Sequence, residues 1–167
     1  MEKNDKSKPK TRFHHAGIVV RNIHNAIKKY AAAFGVDGNA IIVEEMSYMT
    51  GKGEVETFKY AFLPLAEGEN NFIELVEPIT LGPTTRYLEK HGEGLFHLAF
   101  ESSNILKTID NFEKSEIPLA GATPTREVLS VFFHPKSAHG VLIQVIRQGV
   151  FDSAGRVSDG IVDKESV

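Results

Sequence analysis

Residues 15 and 97 are both histidine, and the offset of 82 between them recurs along the chain. It pairs Asn22 with Asn104, Ile23 with Ile105, Ile27 with Ile109, and Tyr30 with Phe112. Toward the end of each half, FLP at 62–64 matches FHP at 133–135, and Glu74 and Gln144 follow ten and nine residues later. A chain that repeats itself in this way builds one supersecondary unit twice. Each unit must then bury its apolar face against its own helix and share a sheet or a core with its copy.

The apolar spacing supplies the content of the unit. After the short run at 15–20, apolar residues fall at Ile23, Ala26, Ile27, Tyr30, Ala31 and Phe34, the spacing of one helix face, and Gly35 closes it. Strand-like runs follow as NAIIVEE from Asn39, ETFKYAFLPL from Glu56 and NFIELVEP from Asn71. The string TLGPTTRYLEKHG carries Pro83 at a first helical turn and Gly92 beyond the last, which predicts a connecting helix over 83–91. The pattern then restarts. LFHLAFE reads as a strand, and Ile105, Leu106, Ile109 and Phe112 mark a helix face. Strands are expected near 119–123, in EVLSVFF from Glu127 and in GVLIQVIR from Gly140. The expected fold is α+β, with two tandem β-α-β-β-β modules at about 13–78 and 95–148 cupped around a central metal site. A length of 167 residues supports one such domain. Residues 1–12 read as a disordered arm, and 149–167 as a polar tail, or from about Phe151 a loosely docked extension.

Each module carries one polar residue in its first strand and another in its last. His15 and Gly17 share a face, as do His97 and Ala99, so each histidine has a small neighbour that leaves a notch in a concave surface. Glu74 lies between Phe72 and Val76, where an unpaired carboxylate would cost several kcal/mol. The chain has no cysteine, so a metal here must be held by imidazole, carboxylate and amide groups. His15, Glu74, His97 and Gln144 together suit one divalent ion of the Zn, Ni, Co, Mn or Fe type, with positions open to substrate oxygens. The other histidines lack this symmetry. His14 alternates away from His15 along the strand; His24, His91 and His139 fall at a helix start or in turns, where solvated surface is expected, and His134 precedes a proline in a hairpin.

Composition narrows the field. A net charge of -3, with no clustered Lys/Arg face, lacks the footprint of a nucleic-acid binder. The start MEKNDKSKPKTR is polar, no signal-like apolar stretch follows it, and no run is long enough to cross a membrane as a helix, so a cytoplasmic protein is expected.

The strings FHHAGIVVRNI, FLPL with FIELVEP, YLEKHGEGLFHLAF and FHPKSAHGVLIQV resemble the vicinal oxygen chelate superfamily, which includes glyoxalase I, the bleomycin-resistance proteins, extradiol dioxygenases and methylmalonyl-CoA epimerase. They are most similar to the epimerase branch. That resemblance implies metal ligands at His15, Glu74, His97 and Gln144, a small-molecule substrate such as an acyl-CoA or other thioester, and a homodimer. Two departures stand out. The family's usual glutamate at the last ligand position is a ligand and a proton-transfer base, whereas Gln144 cannot act as a base. Some epimerases carry glutamine in the first module instead, so acid and amide have exchanged halves, and Glu74 becomes the catalytic candidate. The segment ATPTREVLSVFF is shorter than the family's glycine-rich loop that encloses acyl-CoA. Lys136 and Ser137, in the HPKS hairpin, match the family and are candidates for binding a substrate phosphate or carboxylate. The leading expectation is a metal-dependent isomerase, epimerase or lyase that shifts a proton beside a carbonyl through a stabilised enolate. The alternatives are a binding protein of the bleomycin-resistance kind without turnover, and a ring-cleaving dioxygenase.

Overall fold

The computed structural model describes residues 8–50, 53–65, 71–121 and 128–158. The first module comprises β1 (Thr11–Val19), α1 (Ile23–Phe34), β2 (Glu44–Met49), β3 (Val55–Pro64) and β4 (Phe72–Pro78). Helix α2 (Pro83–His91) leads to the second module, made of β5 (Gly94–Ser102), α3 (Ile105–Lys114), β6 (Ser130–Phe133) and β7 (Ile143–Arg147). All seven strands join one curled mixed sheet in the order β2-β3-β4-β1-β5-β7-β6. The repeat governs this topology. In each module the first strand runs parallel to the last, β1 with β4 and β5 with β7, and the last pairs antiparallel with the one before it. The two first strands meet antiparallel at the centre of the sheet.

The duplicated helices start in the same way. The side chain of Asn22 accepts the backbone N–H of Asn25 at 2.9 Å, and that of Asn104 accepts the N–H of Lys107 at 3.0 Å, each satisfying a donor that a first helical turn leaves free. Gly35 ends α1 in the left-handed region at φ 70°, where a side chain would be strained. Helix α1 packs Ile23, Ala26, Ile27 and Ala31 on Ala61, Leu63, Ile73 and Leu75 of the sheet, and α3 packs Ile105 and Ile109 on Val131, Phe133 and Val145. Each fully buried aliphatic side chain contributes about 1.5–3 kcal/mol. Both helices thus cover one face of the sheet and leave the other for the polar residues of the repeat.

Four segments differ from the sequence reading. The strand expected from Asn39 begins at Glu44, because Gly38–Ala40 form a 3₁₀ turn in which the Asp37 side chain accepts the N–H of Asn39. Near 119, only Leu119 pairs, as a single bridge to Phe133, and residues 122–127 lie outside the described residues. Strand β1 begins at Thr11, and Lys10 exchanges hydrogen bonds with Ser103, so the described part of the arm is tied to β5. At the other end, Val150 and Phe151 pack on Ala99, Ile146 and Phe62, the apolar content that a reading of the tail as polar overlooked.

A buried carboxylate locks α2 in position. Glu56 of β3 is fully buried, and it accepts the Tyr48 hydroxyl at 2.7 Å and the backbone N–H groups of Thr84 and Thr85 at 2.9 and 3.3 Å. The charge sits at the positive end of the helix, where it is favoured. A Cβ on Gly82 would collide with the Glu56 carboxyl carbon, so glycine is needed there for space. We expect Glu56→Ala to lower unfolding stability by about 2–3 kcal/mol in urea titration, because it orphans several buried donors at once.

Candidate metal centre

The antiparallel pairing of β1 and β5 sets His15 opposite Ala99 and Gly17 opposite His97. The two histidines therefore lie diagonally across the seam, and their Nε2 atoms are 2.9 Å apart. Strand β4 runs beside β1 with Glu74 opposite Gly17, and Glu74 Oε2 reaches 3.3 Å from His15 Nε2 and 3.2 Å from His97 Nε2. On the other side Gln144 of β7 is opposite Ala99, the symmetric place. His15, Glu74 and His97 thus meet around one point, and Gln144 takes the symmetric register position on the far side of the seam. Lys136 and Ser137 do not join them; they sit on an exposed 3₁₀ turn just past β6.

Glycine at 17 is a spatial requirement. A Cβ built there would collide with the His97 imidazole, so that ring occupies the volume that a side chain at 17 would fill. Rings of Phe62 and Phe132 flank His15 and His97 at centroid distances of 5.0 and 5.7 Å and give the cluster apolar walls.

Three ligand atoms within 3.3 Å of one another match a shared cation. Neighbouring ligands about 2.1 Å from a common centre stand about 3.0 Å apart in octahedral geometry and about 3.4 Å apart in tetrahedral geometry. The hydrogen-bond inventory agrees. Glu74 Oε2 pairs with both imidazoles, at 3.3 and 3.2 Å, without a hydrogen bond of good geometry to either, and Gln144 Oε1 is buried with no well-formed hydrogen bond. Ser130 Oγ accepts the Gln144 amide N–H at 3.0 Å, which orients the amide with its oxygen free. Buried oxygens held so loosely by their neighbours are suited to meet a ligand. The donor set of two imidazoles, a carboxylate and an amide oxygen therefore fits a divalent ion.

Protonation states are also suitable. Burial pushes the His15 imidazole below its ordinary value, with Glu74 opposing, so it is disposed to be neutral as a ligand must be. Burial opposes ionisation of Glu74, but the His15 and His97 rings outweigh it and hold the carboxyl well below the usual carboxylate range.

His14 is the residue the sequence reading misplaced. Strict alternation turns it away from His15, but the register of β1 against β5 slips between Phe13 and His15, so His14 is the extra residue of a β-bulge. It is 1% exposed, packs among Phe62, Phe72 and Phe151, and its Nδ1 lies 2.8 Å from His15 Nδ1. No local signal in FHHAG distinguishes a bulge from a regular strand. His24, His91 and His139 are exposed, and His134 Nδ1 accepts the Lys136 N–H in its turn.

Comparison with known proteins now places the chain. Residues 14–133 match the model of the Glyoxalase/Bleomycin resistance protein/Dioxygenase superfamily. The chain belongs to that superfamily. Among curated proteins it is similar to the uncharacterized protein YqjC of Bacillus subtilis, 26% identical over 138 residues that cover 80% of this chain and 90% of that one. Among solved structures, hypothetical protein BH1468 of Bacillus halodurans superimposes with a TM-score of 0.62 at 25% identity, covering 83% of this chain and 94% of that one. Methylmalonyl-CoA epimerase of Mycobacterium tuberculosis gives a TM-score of 0.61 at 24% identity, covering 81% and 86%. A variant of the Streptomyces coelicolor methylmalonyl-CoA epimerase, in complex with 2-nitronate-propionyl-CoA, gives 0.60 at 21% identity, covering 81% and 96%. At these identities the epimerases share the fold. No helix among the described residues is long and apolar enough to cross a membrane.

Two outcomes are expected. Purified protein should retain about one divalent ion per chain by elemental analysis, and His15→Ala, His97→Ala and Gly17→Ala should each lose most of it, the last by displacing the His97 ring. Full occupancy in all three would put the metal elsewhere. Separately, burial foremost, with His15 adding to it, lowers His14 from 6.5 to about 4. The unfolded chain therefore binds a proton at His14 between about pH 6.5 and 4 that the folded protein refuses. Stability of the metal-free protein should fall as pH drops through that window, and His14→Phe should flatten part of the fall in thermal melts.

Proposed function

We propose that the protein is a metal-dependent isomerase or epimerase that moves a proton on the carbon beside a carbonyl. The observation that carries this reading is the meeting of His15, Glu74 and His97 around one point, with Gln144 at the symmetric register position beside them. Glu74 is the base. Its side chain is 11% exposed, against 1% and 5% for His15 and His97, so it is more open than either histidine to a substrate in the cup. The neighbouring His15 and His97 rings hold it below the usual carboxylate range, which favours the carboxylate form that accepts a proton. When bound, a divalent cation supplies positive charge against the negative charge developing on the substrate oxygen. The aromatic walls strengthen that electrostatic effect.

The substrate class is a small enolisable carbonyl compound, with an acyl-CoA or other thioester leading. Lys136 and Ser137, exposed at the end of β6, are proposed to meet its phosphate or carboxylate. We further take the protein to act in the cytoplasm as a homodimer. One observation favours a second reading, a binding protein without turnover. The Gln144 amide is tied to Ser130, and it cannot serve as a base at the position where the family's glutamate does.

Incubation with methylmalonyl-CoA in heavy water separates the two. The enzyme should wash deuterium into the carbon beside the thioester, and Glu74→Gln should slow this by about 10²- to 10⁴-fold while metal content is followed in parallel. Gln144→Glu should retain the metal and show equal or faster exchange. Wild type inert with this substrate and with the hemithioacetal of methylglyoxal, beside an active Gln144→Glu, would establish the binding protein instead.

A further inference from the structure

We propose that His14 is a positioning residue for His15, accepting the Nδ1 proton of His15 and thereby holding its Nε2 bare toward Glu74 and His97. The inference rests on the reading of this cluster as a metal site.

The contact between His14 Nδ1 and His15 Nδ1 is 2.8 Å, and one hydrogen must lie between them, because two bare nitrogens or two N–H groups would repel. Two arrangements satisfy that. If His14 donates, His15 carries its own proton on Nε2 and offers no lone pair to the centre of the cluster. If His15 donates, its Nε2 is bare and faces His97 Nε2 and Glu74 Oε2 at 2.9 and 3.3 Å. Only the second arrangement makes His15 a ligand. A neutral imidazole that accepts from Nδ1 fixes both the tautomer and the angle of the ligating ring.

Packing alone does not explain an imidazole at position 14. The ring lies 5.9, 5.2 and 5.5 Å from those of Phe62, Phe72 and Phe151, and its Nε2 is buried without a partner. Phenylalanine would fill the same aromatic box without burying an unpartnered nitrogen of its own. What phenylalanine lacks is the acceptor at Nδ1. The bulge in β1 has the same consequence, since without it His14 would face away from His15. Phe151 closes the box from the C-terminal segment, which the hydrogen bond from the Gly149 N–H to Glu101 Oε1 at 3.0 Å ties to β5. That segment keeps water from competing for the His15 proton.

The test uses zinc with the full chain. Long-range ¹H–¹⁵N spectra of the zinc-loaded wild type should show His15 protonated at Nδ1 and His14 bare at Nδ1. In chelator competition, His14→Phe should weaken zinc binding by about 10- to 100-fold, the usual effect of removing a ligand's supporting partner, while metal-free protein keeps its fold by circular dichroism. His14→Asn, whose amide oxygen can accept in place of Nδ1, should recover most of that loss. Zinc binding as tight in His14→Phe as in wild type, or a proton on His14 Nδ1 in the loaded wild type, overturns the proposal and leaves the metal site standing. Wild type that binds no divalent ion overturns the metal site and the proposal with it. Should His14→Phe fail to fold, the wild-type spectra and the His14→Asn affinity still decide.

Discussion

The antiparallel contact between β1 and β5 is the interaction on which the rest of the molecule depends. Every backbone bond along that seam also sets a distance between the two histidines, which stand 82 apart in the chain. Opposite partners are His15 with Ala99 and Gly17 with His97, so the histidines converge only because each faces a residue with little or no side chain. A slip of one residue would turn one histidine to the helix-covered face and dissolve the cluster. The parallel neighbours then complete it, since β4 and β7 flank the seam and carry Glu74 and Gln144 in matching register.

Desolvation is the second theme. His15 and Glu74 are buried at a cost that neither would bear alone, and each makes the other's state possible. The carboxylate is ionised because imidazoles surround it. The His15 ring remains short of a second proton because it is buried. Two imidazoles and a carboxylate gathered in a buried place with so few hydrogen bonds are the kind of arrangement a cation would complete.

The ends of the chain take part in this arrangement. Arg12 pairs with Glu101 on β5, and Glu101 also receives the Gly149 N–H, so one buried carboxylate fastens both the start of β1 and the segment that follows β7. Phe151 then packs over Phe62 and His14 at the floor of the site. A tail that reads as polar is thereby part of the wall around the candidate ligands.

The duplication, the helix over 83–91 and the grouping of His15, Glu74 and His97 were legible in the sequence, because an offset repeated by capping asparagines, helix-face isoleucines and mid-strand polar residues leaves few ways to fold. Local chemistry sets those features, so local chemistry reveals them. The start of β2 was hidden by the Asp37 turn, and among the described residues of the strand expected near 119 the pairing is a single bridge at Leu119. Tertiary structure alone decided the role of His14: its direction depends on a one-residue bulge against β5, and a bulge is a property of two paired strands that neither strand carries by itself.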